Sequence, residues 1–112
     1  MYSKDLLKGT LSTIILKLLA SHGKMYGYEI SQKVKILSGD KILLKEGSLY
    51  PALHKLKDDG YVETEKEVID NRVRKYYALT AKGREATSEK VNELNEFTGF
   101  LQKIIAIQTE VK

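Results

Sequence analysis

Two groups of side chains in this 112-residue sequence have types and spacings suited to gripping an anion. Ser48, Tyr50, His54 and Lys55 fall within one short stretch with Pro51 among them. Hydroxyls hydrogen-bond phosphate oxygens or base edges, an ammonium neutralises phosphate, and an imidazole can do either. Arg72, Arg74 and Lys75 form the second group, with chemistry for phosphate contacts or minor-groove insertion. Tyr28 could also reach a phosphate. Each has a plainer reading. The Tyr50 ring could pack on a preceding helix, His54, Lys55 and Lys57 could be solvated surface, and charge on a hairpin edge deters strand pairing.

Other chemistries lack their parts. With no cysteine there is no disulfide scaffold, thiolate metal site or thiol nucleophile. His22 and His54 lie far apart, neither in a metal-ligand spacing such as H-E-x-x-H. Asp58-Asp59 reads as a solvated helix end. Ser48 follows a glycine without a G-x-S-x-G elbow, and Lys24 lies between Gly23 and Gly27 without a phosphate-loop pattern. No enzyme, metal or cofactor is expected. Apolar runs such as Ile14-Ile15-Leu16 fall far short of the roughly 18 residues that cross a bilayer. Met1–Asp5 lacks the pattern of a secretory signal, so a soluble, cytoplasmic protein with no membrane partner is expected.

Net charge is +4, unevenly spread. Residues 1–83 carry 15 Lys and Arg against 10 Asp and Glu, and residues 84–112 carry 4 against 5. A basic body with a near-neutral tail suggests an anionic partner for the body. The length fits one small core, which makes burial by a partner subunit attractive.

The elements that must position these groups follow from periodicity. Leu7, Leu11, Ile14 and Leu18 step by three and four, predicting a helix from about Asp5 to Ser21 that stops at His22-Gly23. A second helix is expected over Tyr26–Leu37, with Tyr26, Ile30, Val34 and Leu37 on one side. Ile42-Leu43-Leu44 could be a small strand or an extended connector. Pro51 belongs near a helix start, which places the third helix from about Gly47-Ser48, with Ser48 a candidate cap, to Asp59. Leu49, Ala52, Leu53 and Leu56 then form its apolar back, while Tyr50, Pro51, His54 and Lys55 point the other way.

Alternation at Val62–Val68 and a second β-rich run at Val73–Leu79, around the turn signal Asp70-Asn71-Arg72, predict a hairpin tipped with cations. One of Tyr76 and Tyr77 should face the core. Thr80 is a candidate cap for the next helix, although Gly83 suggests an irregular start. Arg84–Lys112 reads as one helix striped with Leu94, Phe97, Leu101, Ile104 and Val111. Phe100 and Ile107 lie on an adjoining line. Such a stripe needs a partner, which makes these residues the expected dimer interface.

Helix, helix, short strand, helix and hairpin is the order of a helix-turn-helix extended by a β-wing, an α+β, mainly α fold. Gly47-Ser48-Leu49-Tyr50-Pro51-Ala52-Leu53-His54-Lys55-Leu56 followed by Gly60-Tyr61-Val62 resembles the recognition-helix signature of PadR-like transcriptional regulators. Tyr26-Gly27-Tyr28-Glu29-Ile30, Arg74-Lys75-Tyr76-Tyr77-Ala78-Leu79-Thr80 and Leu7-Lys8-Gly9-Thr10-Leu11 resemble other parts of the same family. The resemblance spans roughly residues 4–83, and the single terminal helix resembles the family's short branch.

It implies a bacterial repressor with a winged-helix DNA-binding domain at 1–83 and a dimerisation helix at 84–112, a homodimer on a pseudo-palindromic double-stranded operator. It carries recognition-helix roles to Ser48, Tyr50, Pro51 and His54, and wing roles to Arg72, Arg74 and Lys75. It also implies release by a small aromatic or lipophilic effector. The chain lacks the tryptophan that drug-binding members place near the terminal helix, leaving Phe97 and Phe100 as pocket candidates against a plainer role in core or seam. Its wing tip also lacks the glycine and proline common there. The competing reading is a winged-helix protein-interaction module without an operator, which the clustered cations disfavour because protein-binding faces are more apolar at their centres.

Overall fold

Helix α2 (Leu11–His22) is the hub of the core, with Leu11, Ile15, Leu16, Leu18 and Leu19 all buried. The computed structural model describes residues 4–108. Around α2 lie α1 (Lys4–Lys8), β1 (Met25–Tyr26), α3 (Gly27–Leu37), α4 (Glu46–Asp58), β2 (Val62–Ile69), β3 (Arg72–Leu79) and α5 (Ala81–Ile105). Ile30 and Val34 of α3, Leu49, Leu53 and Leu56 of α4, and Val62, Tyr77 and Leu79 of the sheet close one cluster with it. Each fully buried Leu or Ile contributes about 1.5–3 kcal/mol relative to an exposed one. The result is a winged helix-turn-helix with a long terminal helix, as the sequence pattern predicts.

Several boundaries differ from expectation for local reasons. The single first helix is two, because Gly9-Thr10 interrupts it. The Thr10 hydroxyl donates back to the carbonyls of Leu6 and Leu7, at 3.1 and 3.3 Å, and so ends α1. Helix α3 begins at Gly27 with Tyr26 as its cap residue, whose N–H donates to Glu29 Oε1 at 3.1 Å. Leu37, expected on the inner side, is exposed. Residues 41–45 form a connector with no strand, and the third strand lies instead at Met25–Tyr26. It pairs antiparallel with β3, giving the sheet order β1-β3-β2.

Helix α4 starts at Glu46 with Lys45 at the cap position, so Ser48 is inside the helix and is not its cap. Pro51 therefore sits in the interior, where it can give no hydrogen bond to the Gly47 carbonyl. Gly47, one turn ahead of the proline, is exposed. At the other end Gly60, at φ 79°, reverses the chain, and the Tyr61 N–H donates to the Leu56 carbonyl at 2.9 Å.

The Gly83 expectation also needs correction. Helix α5 starts regularly at Ala81, capped by Thr80, whose Oγ1 accepts from the Gly83 N–H at 3.0 Å and donates to the Gly60 carbonyl at 2.6 Å. Glycine is required at 83 by packing, because a Cβ there would overlap the Tyr61 carbonyl oxygen. The expected division after residue 83 thus falls inside the first turn of α5. Beyond that turn α5 packs on α2.

Candidate nucleic-acid interface

With Leu49, Leu53 and Leu56 turned inward, the opposite ridge of α4 carries Gly47, Pro51, His54 and Asp58. Pro51 and His54 are exposed there, with His54 Nε2 3.5 Å from Asp58 Oδ2 across one turn. Tyr50 lies on the flank toward α3. Its ring covers Gly27 so closely that a Cβ at 27 would stand 2.5 Å from the Tyr50 hydroxyl oxygen. The ring therefore does pack on the preceding helix, yet Tyr50 stays 44% exposed. Tyr28 is exposed beside it on α3, its ring stacked on Tyr26 with centroids 6.5 Å apart. Ser48 and Lys55 lie on the other flank, where with Lys8, Ser12 and Pro51 they border a groove of about 440 Å³. The predicted residues of α4 thus share its outer half but divide between two flanks.

The wing is a two-residue hairpin. Asp70 and Asn71 both have positive φ, 51° and 62°, the twist that matches flanking strands. Asp and Asn tolerate that region, which is why the tip needs no glycine. Arg72 is the first residue of β3, opposite Ile69, and Arg74 is opposite Glu67. Both lie on one face, while Lys75 lies on the other, opposite Lys66. The three cations that cluster in sequence are therefore split by the pleat.

On the Arg74 face the side chains hold one another. The Arg74 guanidinium stands 4.7 Å from the Tyr26 ring centre, and Tyr26 meets Tyr76 edge-on at 5.4 Å. A hydrogen bond with Tyr76 pushes the Arg74 pKa higher still, so the group stays charged. Lys24 Nζ sits 2.9 Å from Glu65 Oε1 and 2.8 Å from Glu67 Oε2, strapping the wing to the start of β1. Its pKa is raised, chiefly by the hydrogen bonds to Glu67 and Glu65. On the other face Tyr77 is buried and Tyr76 is not, resolving which of the pair faces the core. Burial raises the Tyr77 pKa, with nearby Tyr50 adding to it.

Sequence reasoning gives no site role to Gly27, Lys24 or Lys66. The signal for Lys66 was present, since a two-residue turn at 70–71 fixes the register and sets Lys66 against Lys75. For Gly27 and Lys24 no local pattern exists, because their partners, Tyr50, Glu65 and Glu67, are distant in sequence.

Along α5, Leu94 is half-buried, whereas Phe97, Phe100, Leu101 and Ile104 are exposed. Val111, expected on the same stripe, lies outside the described residues. Leu94, Phe97 and Leu101 border an open cavity of about 640 Å³ shared with Leu6, Leu7, Ile14 and Ile42. Phe100 is not among the residues lining it and lies under Lys103, whose Nζ is 5.4 Å from its ring centre. Among the described residues no cluster of His, Asp or Glu could hold a metal, and no helix is long and apolar enough to cross a membrane.

Comparison with known proteins converges on one family. The family model described as Transcriptional regulator PadR-like family matches residues 15–89. A transcriptional regulator of Mycobacterium tuberculosis is 35% identical over 77 residues, 69% of each chain. The structure of a transcriptional regulator from Clostridium thermocellum superposes with a TM-score of 0.81 at 32% identity, covering 89% of this chain and 97% of that one. A PadR-like transcriptional regulator from Bacillus cereus gives a TM-score of 0.77 at 26% identity, covering 94% and 100%. With the helix-turn-helix, the wing and the matched sequence in agreement, the chain belongs to the PadR-like family of transcriptional regulators, which are not enzymes.

Proposed function

We propose that the chain is a dimeric repressor that binds a pseudo-palindromic operator through α4 and the wing and is released by a small aromatic or lipophilic effector. The observation that carries this reading is the outer half of α4, where Tyr50, Pro51 and His54 are exposed beside a wing that bears cations on both faces. In the proposed complex, α4 from each copy enters a major groove, the two about 34–36 Å apart, one helical turn of DNA. Ser48, Tyr50 and His54, with Pro51 shaping the contact, read or position at base level. Lys55, Tyr28, Arg72, Arg74 and Lys75 supply backbone contacts. The proposed division of labour places DNA binding in residues 1–83 and dimerisation in residues 84–112.

Dimerisation is supported by Phe97, Leu101 and Ile104, large apolar side chains left exposed on α5, with Leu94 beside them. The cavity bordered by Leu94 and Phe97 is within the range of roughly 300–1,000 Å³ that small-molecule sites occupy. An effector that prefers one separation of the two α4 helices would shift the dimer between binding and non-binding states. The test is a gel shift with the DNA immediately upstream of the protein's own gene, comparing wild type with Tyr50→Ala and Arg74→Ala across salt concentrations. Weakened binding in both supports the reading. Wild-type affinity and salt slope in both would remove this surface from DNA recognition, and no shift by the wild type would favour a protein-interaction module.

A further inference from the structure

We propose that Lys66 and Lys75 form a phosphate clamp on the wing, gripping the DNA backbone beside the groove that α4 enters. The inference rests on the DNA-binding reading above and adds to it a residue, a face and a geometry. Lys66 and Lys75 are direct cross-strand partners, and both are exposed. Like charges directly opposite one another destabilise a strand pair, so this arrangement works against the hairpin unless an anion lies between them. The strand has carboxylates next to Lys66, but alternation puts Glu65 and Glu67 on the other face, where both hold Lys24. Among the described residues no carboxylate pairs with Lys66 or Lys75. The wing therefore mixes carboxylates and cations on one face and leaves two facing lysines without a carboxylate on the other.

The position of the clamp points to DNA. Lys75 Nζ stands 5.7 Å from the Tyr77 ring centre, and Tyr77 belongs to the buried cluster that holds Leu49, Leu53 and Leu56 of α4. Lys75 and Lys66 thus continue, toward the tip, the face of the wing whose root packs with α4. Past the lysines, Val68 and Val73 face each other at 72% and 66% exposure. A cationic pair followed by an apolar tip suits a phosphate followed by the sugar edges that wall a groove.

Lys66→Gln/Lys75→Gln and Lys66→Glu test the clamp, using as probes a labelled duplex from immediately upstream of the gene and a mixed-sequence duplex. If the pair neutralises one phosphate, the double variant lowers the slope of log affinity against log salt by about 0.9 per wing on both duplexes. Lys66→Glu, which sets a carboxylate opposite Lys75, raises the thermal midpoint while lowering DNA affinity at least tenfold. Stability and binding then move in opposite directions, which a purely structural role would not produce. Wild-type binding with an unchanged slope in the double variant overturns the clamp and leaves the DNA reading intact. A lower midpoint for Lys66→Glu overturns the repulsion on which the clamp rests. Absence of salt-dependent binding by the wild type to either duplex removes the DNA reading itself, and the clamp with it.

Discussion

Gly27→Ala should separate folding from DNA binding in this protein. Gly27 opens α3, where alanine meets no backbone strain and improves helix propensity by up to about 1 kcal/mol. The new Cβ would stand 2.5 Å from the Tyr50 hydroxyl oxygen, 2.9 Å from Cζ and 3.0 Å from Cε1, where ordinary contact begins at 3.4 Å. The hydroxyl must therefore move by about 1 Å. Because the ring is partly exposed it can swing outward, at a cost of about 0.5–1.5 kcal/mol for leaving its rotamer. The two effects nearly cancel, so the midpoint of thermal unfolding should stay within a few degrees of wild type.

Binding has no such compensation. In the proposed complex, losing the Tyr50 hydroxyl leaves a base-edge group unpaired at about 1–3 kcal/mol, which weakens affinity by roughly 5- to 150-fold. Fluorescence anisotropy on the upstream duplex reads this directly, with Tyr50→Phe as reference and Gly27→Ala/Tyr50→Phe closing a double-mutant cycle. If the added methyl group acts only through the tyrosine hydroxyl, the double variant binds no worse than the worse single one. Wild-type affinity in Gly27→Ala, or fully additive losses in the double variant, would refute the reasoning.

Three further outcomes follow from the geometry. Tyr77 has its pKa raised in the folded protein, so folding favours its neutral form, and the stability this contributes is present below the unfolded tyrosine value near 10 and lost as pH rises beyond it. Thermal unfolding above pH 10 should therefore show a falling midpoint, with a shallower fall in Tyr77→Phe. Gly83→Ala drives a methyl group into the Tyr61 carbonyl oxygen, a backbone atom that cannot swing away, and should cost about 1–3 kcal/mol in urea unfolding. Stability equal to wild type would show that α5 can shift to admit it. In the proposed dimer, Leu101→Glu/Ile104→Glu should yield monomers in sedimentation equilibrium and weaken binding to the upstream duplex, whereas an intact dimer would place the seam elsewhere.

Legibility in the sequence tracked the range of the interactions. The apolar back of α4 was readable because Leu49, Leu53 and Leu56 repeat with the helix, and the hairpin because Val62–Leu79 repeats in twos about Asp70-Asn71. Strand β1 was not readable, since two residues carry no period and Met25–Tyr26 become a strand only by pairing with β3. Ser48 is a candidate cap only because proline usually marks a helix start, whereas α4 carries Pro51 further in and has Lys45 at the cap position. Gly83 suggested irregularity, whereas its lack of a side chain serves a contact with Tyr61, far away in sequence. At the wing, a contiguous triplet of cations concealed that alternate residues address opposite sides. The register that reveals Lys66 follows from counting outward from the turn.

The joint between α4 and α5 has a mechanical consequence. Thr80 bonds Gly60, Lys82 Nζ donates to the Asp59 carbonyl at 2.8 Å, and Gly83 abuts Tyr61, so the root of the long helix is bolted to the far end of α4. With 25 residues at about 1.5 Å each, α5 is a lever arm of roughly 38 Å whose fulcrum adjoins the end of α4. A tilt of a few degrees at the fulcrum accompanies a displacement of a few ångströms at its tip. Movement of the distal turns is therefore shared between α4, through this joint, and α2, against which α5 packs on the way.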